Sequence, residues 1–348
     1  MGYYIQEYMI LVTGTYPPQQ CGVADYSYCL LNSEAGKASG WKLLHTQDLS
    51  FKGFRQTIRE IKQQDDVNIN LQFPSRGFGK SLFPHFLCVY LRCFTRKKIA
   101  VTVHEFTQLG WKGFICAYMI LLFAKQLIFT NEFERAAAIK KVPWVKKKST
   151  VIKIFSNISQ SDNLLKISQR TYDVGCFGYI RPLKGIENFI EVVKAIKDKQ
   201  GASLNAYILG ETWPDLQEYT AKIRAMAADA GVTILEGRND KEVADILANT
   251  KVAYLPYPDG LSERRGSFLA FVRNLALIVS TEGPFVTQVQ RDYLKITTEA
   301  HAPEIVSGLL ALSSDEQDAM QQQIISFVKK ELPASWDDIV KQYNNYLQ

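Results

Sequence analysis

Short apolar runs alternate with longer amphipathic segments along almost the whole chain. Five runs in the first half are typical of strands: MILVTG (9–14), VNINLQF (67–73), IAVTVH (99–104), LIFT (127–130) and VIKIF (151–155). Five more follow in the second half: DVGCFGY (173–179), LNAYILG (204–210), VTILEG (232–237), VAYLPY (252–257) and LALIVS (275–280). Helical patterns such as GIENFIEVVKAIKD (185–198) and TAKIRAMAADA (220–230) lie between them. This alternation predicts parallel sheets with helices on both faces.

Two series of strands in 348 residues predict two Rossmann-like α/β domains, because a single core rarely grows that large. The polar stretch SNISQSDNLLKISQR (156–170) is typical of a linker. We therefore predict an N-terminal domain over 1–158 and a C-terminal domain over 159–330, followed by a last helix over 331–348.

Composition and charge exclude several classes of protein. The chain is 47% hydrophobic and 22% charged, as globular proteins are, and its net charge of +6 is modest. The four histidines show no metal-binding spacing and the six cysteines no CxxC pair, so we expect reduced thiols and no metal site of sequence-local ligands. The first residues, MGYYIQEYMILVTG, are too polar for a secretory leader, which indicates a cytoplasmic protein.

Loops that follow strands are where open α/β sheets bind ligands, and three such loops are distinctive. After the first strand, TYPPQQCGVADYS places Gly22 just before a helix. After DVGCFGY, Arg181 and Lys184 flank the opening of the next helix, where backbone N–H groups favour anions. We interpret this pair as a phosphate site, although solvated surface charge is the common alternative.

The third loop, DGLSERRGSFLAF (259–271), brings charge to a helix N-terminus. The backbone N–H groups of Gly266 and Ser267 can hold a phosphate, and Glu263 can accept hydrogen bonds from sugar hydroxyls. Arg265 can neutralise a phosphate or pair with Glu263. An ordinary cap with a surface ion pair is the alternative.

Together these motifs resemble a known family. GYIRPLKGIENF, followed by DGLSERRGSFLAF, resembles the C-terminal domain of GT-B glycosyltransferases of family 4, which are retaining enzymes. TGTYPPQQCGVADYS, VTVHEF and SWDDIVKQYNNYL (335–347) resemble the family's first loop, its histidine loop and the final helix that crosses back to the N-domain. The resemblance implies an α/β fold of two Rossmann-like domains facing across a cleft (GT-B).

The resemblance also implies a role for each matching residue. Arg181 and Lys184 would clamp the pyrophosphate of a nucleotide-diphosphate sugar, Glu263 would contact the donor sugar, and His104 would face the donor sugar and the acceptor. The remaining candidates are expected to bind the donor or to lie beside it: Gly22, Arg238 at the base, Arg265, Gly266 and Ser267, with Asn157 near the linker. Neither a metal nor another cofactor is implied, because protein groups take the charge of the leaving group.

Two positions depart from the family pattern. Phe271, which we count among the donor-binding candidates, occupies the position of the family's second glutamate, which binds the ribose, so ribose recognition must differ here or come from elsewhere. Tyr179 stands where the family often has arginine, and Arg181 can take its place. A retaining reaction needs no protein base; an inverting one would need a base such as His104 or Glu105.

Basic and aromatic residues are concentrated in the N-domain. FPSRGFGKSLFPHFLCVYLRCFTRKK (73–98) mixes Arg and Lys with large apolar residues, and KKVPWVKKK (140–148) surrounds Trp144 with lysines. FICAYMILLFA (114–124) is only about half the ~20 residues of a membrane span. We expect an enzyme on the inner face of the cell membrane that extends a glycan or a polyprenyl-linked acceptor; a core helix with a solvated lysine face is the alternative. No nucleic-acid motif is found.

The leading hypothesis is thus a hexose-transferring enzyme of polysaccharide or O-antigen-type biosynthesis. A catalytically silent GT-B protein that binds nucleotide sugar or glycan is the alternative. A Rossmann oxidoreductase is disfavoured, since no GxGxxG follows the first strand.

Overall fold

The chain folds into two compact units. The computed structural model describes residues 8–347 except residues 20, 65, 66 and 202. The first unit comprises the chain up to Phe155 together with the residues from Pro333 onward, and the second runs from Ser156 to Leu332. The sequence-based boundaries, 158/159 and 330/331, lie close to these.

The first unit contains a six-stranded sheet in which all paired strands are parallel, in the order β2-β1-β3-β4-β5-β6. Its strands are β1 (Tyr8–Thr13), β2 (Lys42–His45), β3 (Val67–Phe73), β4 (Ile99–Val103), β5 (Gln126–Phe129) and β6 (Ser149–Val151). The helices between them are α1 (Gly22–Asn32), α2 (Glu34–Ala38), α3 (Phe51–Lys62), α4 (Phe83–Phe94), α5 (Trp111–Phe123) and α6 (Glu132–Lys141), and the 3-10 segments are Arg76–Phe78 and Pro143–Lys148.

The second unit repeats this architecture with a sheet of order β12-β11-β10-β7-β8-β9, again parallel throughout. Its strands are β7 (Tyr172–Phe177), β8 (Ala206–Leu209), β9 (Thr233–Leu235), β10 (Thr250–Leu255), β11 (Leu277–Thr281) and β12 (Lys295–Thr297). Its helices are α7 (Ile186–Gln200), α8 (Gln217–Asp229), α9 (Asp240–Ala248), α10 (Gly266–Arg273), α11 (Gln288–Tyr293), α12 (Ala302–Leu310) and α13 (Ser314–Glu331), with 3-10 segments at Ile167–Gln169, Pro214–Leu216 and Glu299–His301.

The last helix, α14 (Trp336–Leu347), belongs to the first unit. The sheet of the first unit has a hydrophobic core on each face. Successive side chains of a strand point to opposite faces of a sheet, so residues of β1 contribute to both cores. Ile10 and Val12 join the cluster that α3 to α6 cover. Met9 and Leu11 join the cluster that α1 and α14 cover. Both faces are therefore buried, as in other parallel sheets.

The alternating pattern identified ten of the twelve strands and missed β2 and β12. Both are short strands at the edge of their sheets, and several of their residues are half-buried or exposed. Neither strand carries more than two apolar residues, since β2 reads KLLH and β12 reads KIT, so the pattern does not set them apart from a loop. Over the described ranges, no helix is long and apolar enough to cross a membrane.

Candidate functional site

The two predicted phosphate-binding motifs lie at one place in the second unit. Its strand order changes direction between β7 and β10, and ligands of open parallel sheets bind beyond the carboxyl ends of the strands at such a switch point. Residues 178–185 follow β7 and residues 256–265 follow β10. The topology therefore places both loops where a ligand is expected.

The two loops approach each other closely at Gly185. Its φ of +74° lies in the left-handed region, and a Cβ at this position would lie 1.8 Å from the carbonyl oxygen of Pro256. Only glycine accepts both the conformation and the approach. Leu183, two residues earlier, also has a positive φ of 65° although it carries a branched side chain that is 79% exposed. Such backbone strain is concentrated at functional sites.

Three cationic side chains act on one another in these loops: Arg181 and Lys184 after β7, and Arg265 after β10. Burial, and then the charges of the two arginines, lower the pKa of Lys184 to about 8, while Cys176 and Asp259 oppose the shift. Burial and the two arginines raise the electrostatic energy of the charged lysine. A bound anion lowers that energy, so a cluster of this kind favours anion binding.

The two arginines are held mainly by aromatic rings. The guanidinium of Arg181 lies 5.5 Å from the ring centre of Trp213, and that of Arg265 lies 4.8 Å from that of Tyr257. Arg265 also forms an ion pair with Asp259. In the part of the chain that the structure describes, the buried Nε of each arginine has no hydrogen-bond partner. Buried donors are nearly always satisfied, so these two N–H groups are available to a ligand or water that supplies acceptors.

The N-terminus of α10 is open beside this cluster. Arg265 is its N-cap residue and Gly266 its first residue, and no side chain of the described residues caps it. Gly266 is exposed, and a Cβ there would meet nothing within 4 Å. The hydroxyl of Ser267 is 2.6 Å from that of buried Tyr257, and the backbone N–H groups at this end of α10 point the way a bound anion would need.

Other candidates of the second unit lie near this site or apart from it. Glu263 is half-buried and lies three residues before α10. Arg238 follows the edge strand β9 and lies 3.4 Å from Glu242 in an exposed ion pair. Asn157 is the second residue of the second unit, which begins at Ser156.

The structure corrects the donor-binding role predicted for Phe271. The side chain belongs to the buried side of α10 and is 0% exposed. A fully buried side chain offers no surface to a ribose, so Phe271 is a core residue, and its place in the donor site is wrong for the side chain.

In the first unit, Gly22 begins α1, is exposed, and has open space where a Cβ would lie. The close backbone approach in this region occurs elsewhere. A Cβ on Gly77, which follows β3, would lie 1.5 Å from the carbonyl oxygen of Gly14, which follows β1. The close approach therefore requires glycine at Gly14 and Gly77, whereas none of the described neighbours of Gly22 requires a glycine there.

His104 follows β4 and is 6% exposed. Its Nε2 lies 2.7 Å from Oε1 of Gln72, and its ring packs edge-to-face against Tyr26 with centroids 5.1 Å apart. Glu105, the next residue, is exposed. The side chain of His104 thus has defined partners on two sides.

The structure joins Arg181, Lys184 and Arg265 into one cluster, with Gly266 and Ser267 beside it. Sequence reasoning missed Asp259 and Trp213, which hold the two arginines. Asp-Gly at 259–260 is a common turn signal, and a lone tryptophan after a strand has no distinguishing pattern, so neither stood out. Among the described residues, no group of three or more His, Cys, Asp or Glu side chains is arranged to hold a metal ion.

Comparison with known proteins establishes the fold. No family model and no curated protein matches the chain. Sucrose-phosphate synthase from Thermosynechococcus elongatus is similar in structure, with a TM-score of 0.71 and 14% identity over 97% of this chain and 98% of that chain. Anabaena HepE in complex with UDP and glucose has a TM-score of 0.69 and 12% identity over 98% and 99%. A glycosyltransferase from Rickettsia africae has a TM-score of 0.69 and 12% identity over 99% and 98%.

These likenesses extend over nearly the full length of both chains, and they agree with the two six-stranded parallel sheets described above. The fold that the sequence predicted is therefore confirmed: the chain is an α/β protein of two Rossmann-like units with the GT-B fold.

Proposed function

We propose that the protein is a glycosyltransferase that moves a hexose from a nucleotide-diphosphate sugar to an acceptor. The observation that carries this proposal is the cluster of Arg181, Lys184 and Arg265 at the switch point of the second unit, beside the open N-terminus of α10. The cluster suits a diphosphate better than a single phosphate, because two loops contribute charge and a helix end contributes N–H groups.

The chemistry follows from where charge develops. When the bond between the sugar C1 and the diphosphate oxygen breaks, negative charge grows on the leaving diphosphate. Preorganised cations and helix N–H groups stabilise that charge without reorganising, so we propose a reaction that needs no metal. Retention of configuration is part of the proposal, with the leaving phosphate taking the proton of the acceptor hydroxyl.

The remaining candidates take the roles that the sequence motifs imply. Glu263 accepts hydrogen bonds from hydroxyls of the donor sugar, Gly266 and Ser267 donate backbone N–H groups to the diphosphate, and Arg238 contacts the base. Gly22 and His104 belong to the first unit, where His104 orients the acceptor. UDP-glucose is the first donor to test, because HepE, one of the similar structures, is described in complex with UDP and glucose.

The test is release of nucleotide from a panel of UDP-, GDP- and dTDP-sugars, with and without acceptor and with and without a chelator. Lys184→Met and Glu263→Gln are the test variants, and Lys329→Met, an exposed lysine of α13, is the control. Loss of one charged contact to the leaving group predicts a fall of about 100-fold or more in kcat for Lys184→Met. Nucleotide binding without release from any donor would instead favour a catalytically silent binding protein.

We further propose that the acceptor is a lipid-linked glycan reached at an anionic membrane face. The helix α5 supports this, because it is apolar on its outer side as well as its inner side. Trp111, Ile115, Tyr118 and Leu122 recur at helical spacing and are 71%, 59%, 41% and 48% exposed. A continuous exposed apolar stripe of this kind is typical of an interaction surface.

Lysines border this stripe. Trp144 packs against Tyr118 with ring centroids 6.2 Å apart, and it lies in the 3-10 segment that carries exposed Lys146 and Lys147. An apolar stripe edged by lysine and tryptophan suits an anionic lipid surface, where the rings enter the interface and the ammonium groups meet headgroups.

Co-sedimentation with vesicles of phosphatidylglycerol and phosphatidylcholine tests this part. We expect Ile115→Ser with Leu122→Ser to abolish binding at any salt concentration. Lys146→Gln with Lys147→Gln should weaken binding about 30-fold at low salt, since each lysine contributes about 1 kcal/mol. Phe51→Ser on α3, which removes a side chain that is 77% exposed, is the apolar control. If the wild-type protein does not co-sediment with anionic vesicles at low salt, the membrane proposal is refuted.

A further inference from the structure

The inner part of β3 carries buried amides where a parallel sheet usually carries apolar residues. Asn70 and Gln72 lie two residues apart and therefore point to the same face, and both are 0% exposed. The register of the sheet places Gln72 beside Thr102 of β4, which is also fully buried. Apolar side chains would fill this space without needing partners, so the amides call for an explanation.

Tyr343 of α14 lies over these groups. Its hydroxyl is 2.8 Å from Oγ1 of Thr102 and 2.8 Å from the hydroxyl of Tyr26. Burial raises the pKa of Tyr343 to about 12 and that of Tyr26 well above its usual range. The hydroxyls are therefore protonated at physiological pH, and the network is neutral.

The network ends at His104. The amide nitrogen of Gln72 donates to Oδ1 of Asn70, and Asn70 is itself fixed by Thr102, with an Nδ2 to Oγ1 distance of 3.1 Å. The amide oxygen of Gln72 therefore faces His104, at 2.7 Å from Nε2. A carboxamide oxygen only accepts, so this nitrogen of His104 carries a proton and donates it.

We propose that Tyr343 and Gln72 are positioning residues for His104: the last helix closes a buried hydrogen-bond chain that sets the ring orientation and the protonated nitrogen of this histidine. The chain runs from α14 through β3 to the loop after β4. The relevance of His104 to catalysis rests on the proposed function, whereas the positioning itself can be measured without turnover.

The experiment follows the imidazole N–H proton of His104 in the full-length protein labelled with ¹⁵N-histidine. The chain has four histidines, and His104→Asn identifies the signal. Because the proton is buried and bonded, its resonance should be visible and should exchange slowly with water. Gln72→Leu should abolish it, and Gln72→Glu, which keeps an acceptor oxygen, should retain it.

Tyr343→Phe tests the distant end of the chain. We expect exchange of the His104 proton to become at least about tenfold faster, because one buried hydrogen-bonding group is lost. Tyr346→Phe is the matched control on the same helix: its hydroxyl donates to the carbonyl oxygen of Lys148 at 2.7 Å, outside the network. Thr102→Val is the second test variant should Tyr343→Phe fold poorly.

Two results would overturn the proposal. One is an exchange rate of the His104 proton that is unchanged in both Tyr343→Phe and Thr102→Val. The other is an acceleration of that exchange in Tyr346→Phe as large as in Tyr343→Phe. These outcomes do not depend on any sugar being transferred, so they are distinct from failure of the proposed function. Where turnover is found, the positioning role predicts a lower kcat in Tyr343→Phe with an unchanged affinity for the nucleotide sugar.

Discussion

Lys184 destabilises the protein that carries it, and replacing it with methionine measures by how much. Methionine keeps an apolar stem of similar length and removes the charge. The pKa of Lys184 falls from its ordinary value of 10.5 to about 8 because of burial and the neighbouring arginines. Each pKa unit corresponds to about 1.4 kcal/mol, which sets an upper limit of about 3 kcal/mol. Solvent screening at a half-buried site reduces the expected gain for Lys184→Met to about 1–2 kcal/mol.

The pH dependence of this gain has a definite sign. Below pH 8 the lysine is charged in both the folded and the unfolded protein, so the full penalty is present. Between pH 8 and 10.5 the folded lysine loses its proton before the unfolded one, and the wild type gains stability relative to the variant. The advantage of Lys184→Met should therefore shrink as pH rises from 7 to 9.5.

The assay is urea denaturation of the wild type, Lys184→Met and the control Lys329→Met at pH 7 and pH 9.5. The control should differ from wild type by less than about 0.5 kcal/mol at both values. Nucleotide diphosphate should stabilise the wild type and the control but not Lys184→Met. A Lys184→Met protein that is no more stable than wild type at pH 7, or whose advantage is equal at both pH values, would refute the account of the cluster.

Three further substitutions test separate parts of the structure by the free energy of unfolding. Gly185→Ala should cost more than about 2 kcal/mol, since the residue has a positive φ and its Cβ would collide with Pro256; a neutral result would mean that the two loops are not held together there. Phe271→Glu should unfold the protein or cost at least about 3 kcal/mol, because it buries a carboxylate in the core, whereas a folded variant with stronger nucleotide binding would restore this position to the donor site. Glu134→Gln should cost about 1–3 kcal/mol, because buried Glu134 accepts hydrogen bonds from N and Oγ1 of Thr107 at 2.7 and 3.0 Å; stability equal to wild type would show that these bonds contribute little.

Much of the fold could be predicted from local pattern. Apolar runs of four to seven residues located the buried strands, and the alternation of strand and helix indicated parallel sheets. The edge strands β2 and β12 were missed because they carry at most two apolar residues each. The positions of Arg181 and Lys184 at a helix start were likewise visible in the sequence, because charge, proline and glycine stand together there.

The limits of sequence reasoning are clear at particular residues. Arg265 was predicted to neutralise a phosphate or to pair with Glu263, whereas the structure pairs it with Asp259, because that ion pair depends on the path of the turn between them. Phe271 lies one helical turn beyond Ser267, and only the packing of α10 decided that it faces the core. Spacing along a helix shows which side chains share a face. It does not show which face packs against the protein core.

The strand β3 shows most directly what the sequence determined and what it did not. The alternation of VNINLQF determined a strand with one apolar and one polar face, and by itself that pattern is typical of a strand with its polar face in water. The tertiary structure instead buries that face under α14, where Thr102 and Tyr343, 241 residues apart in the chain, share a hydrogen bond. Local periodicity reports which side chains share a face. What covers that face depends on contacts between distant segments, and a single sequence carries no local signal for them.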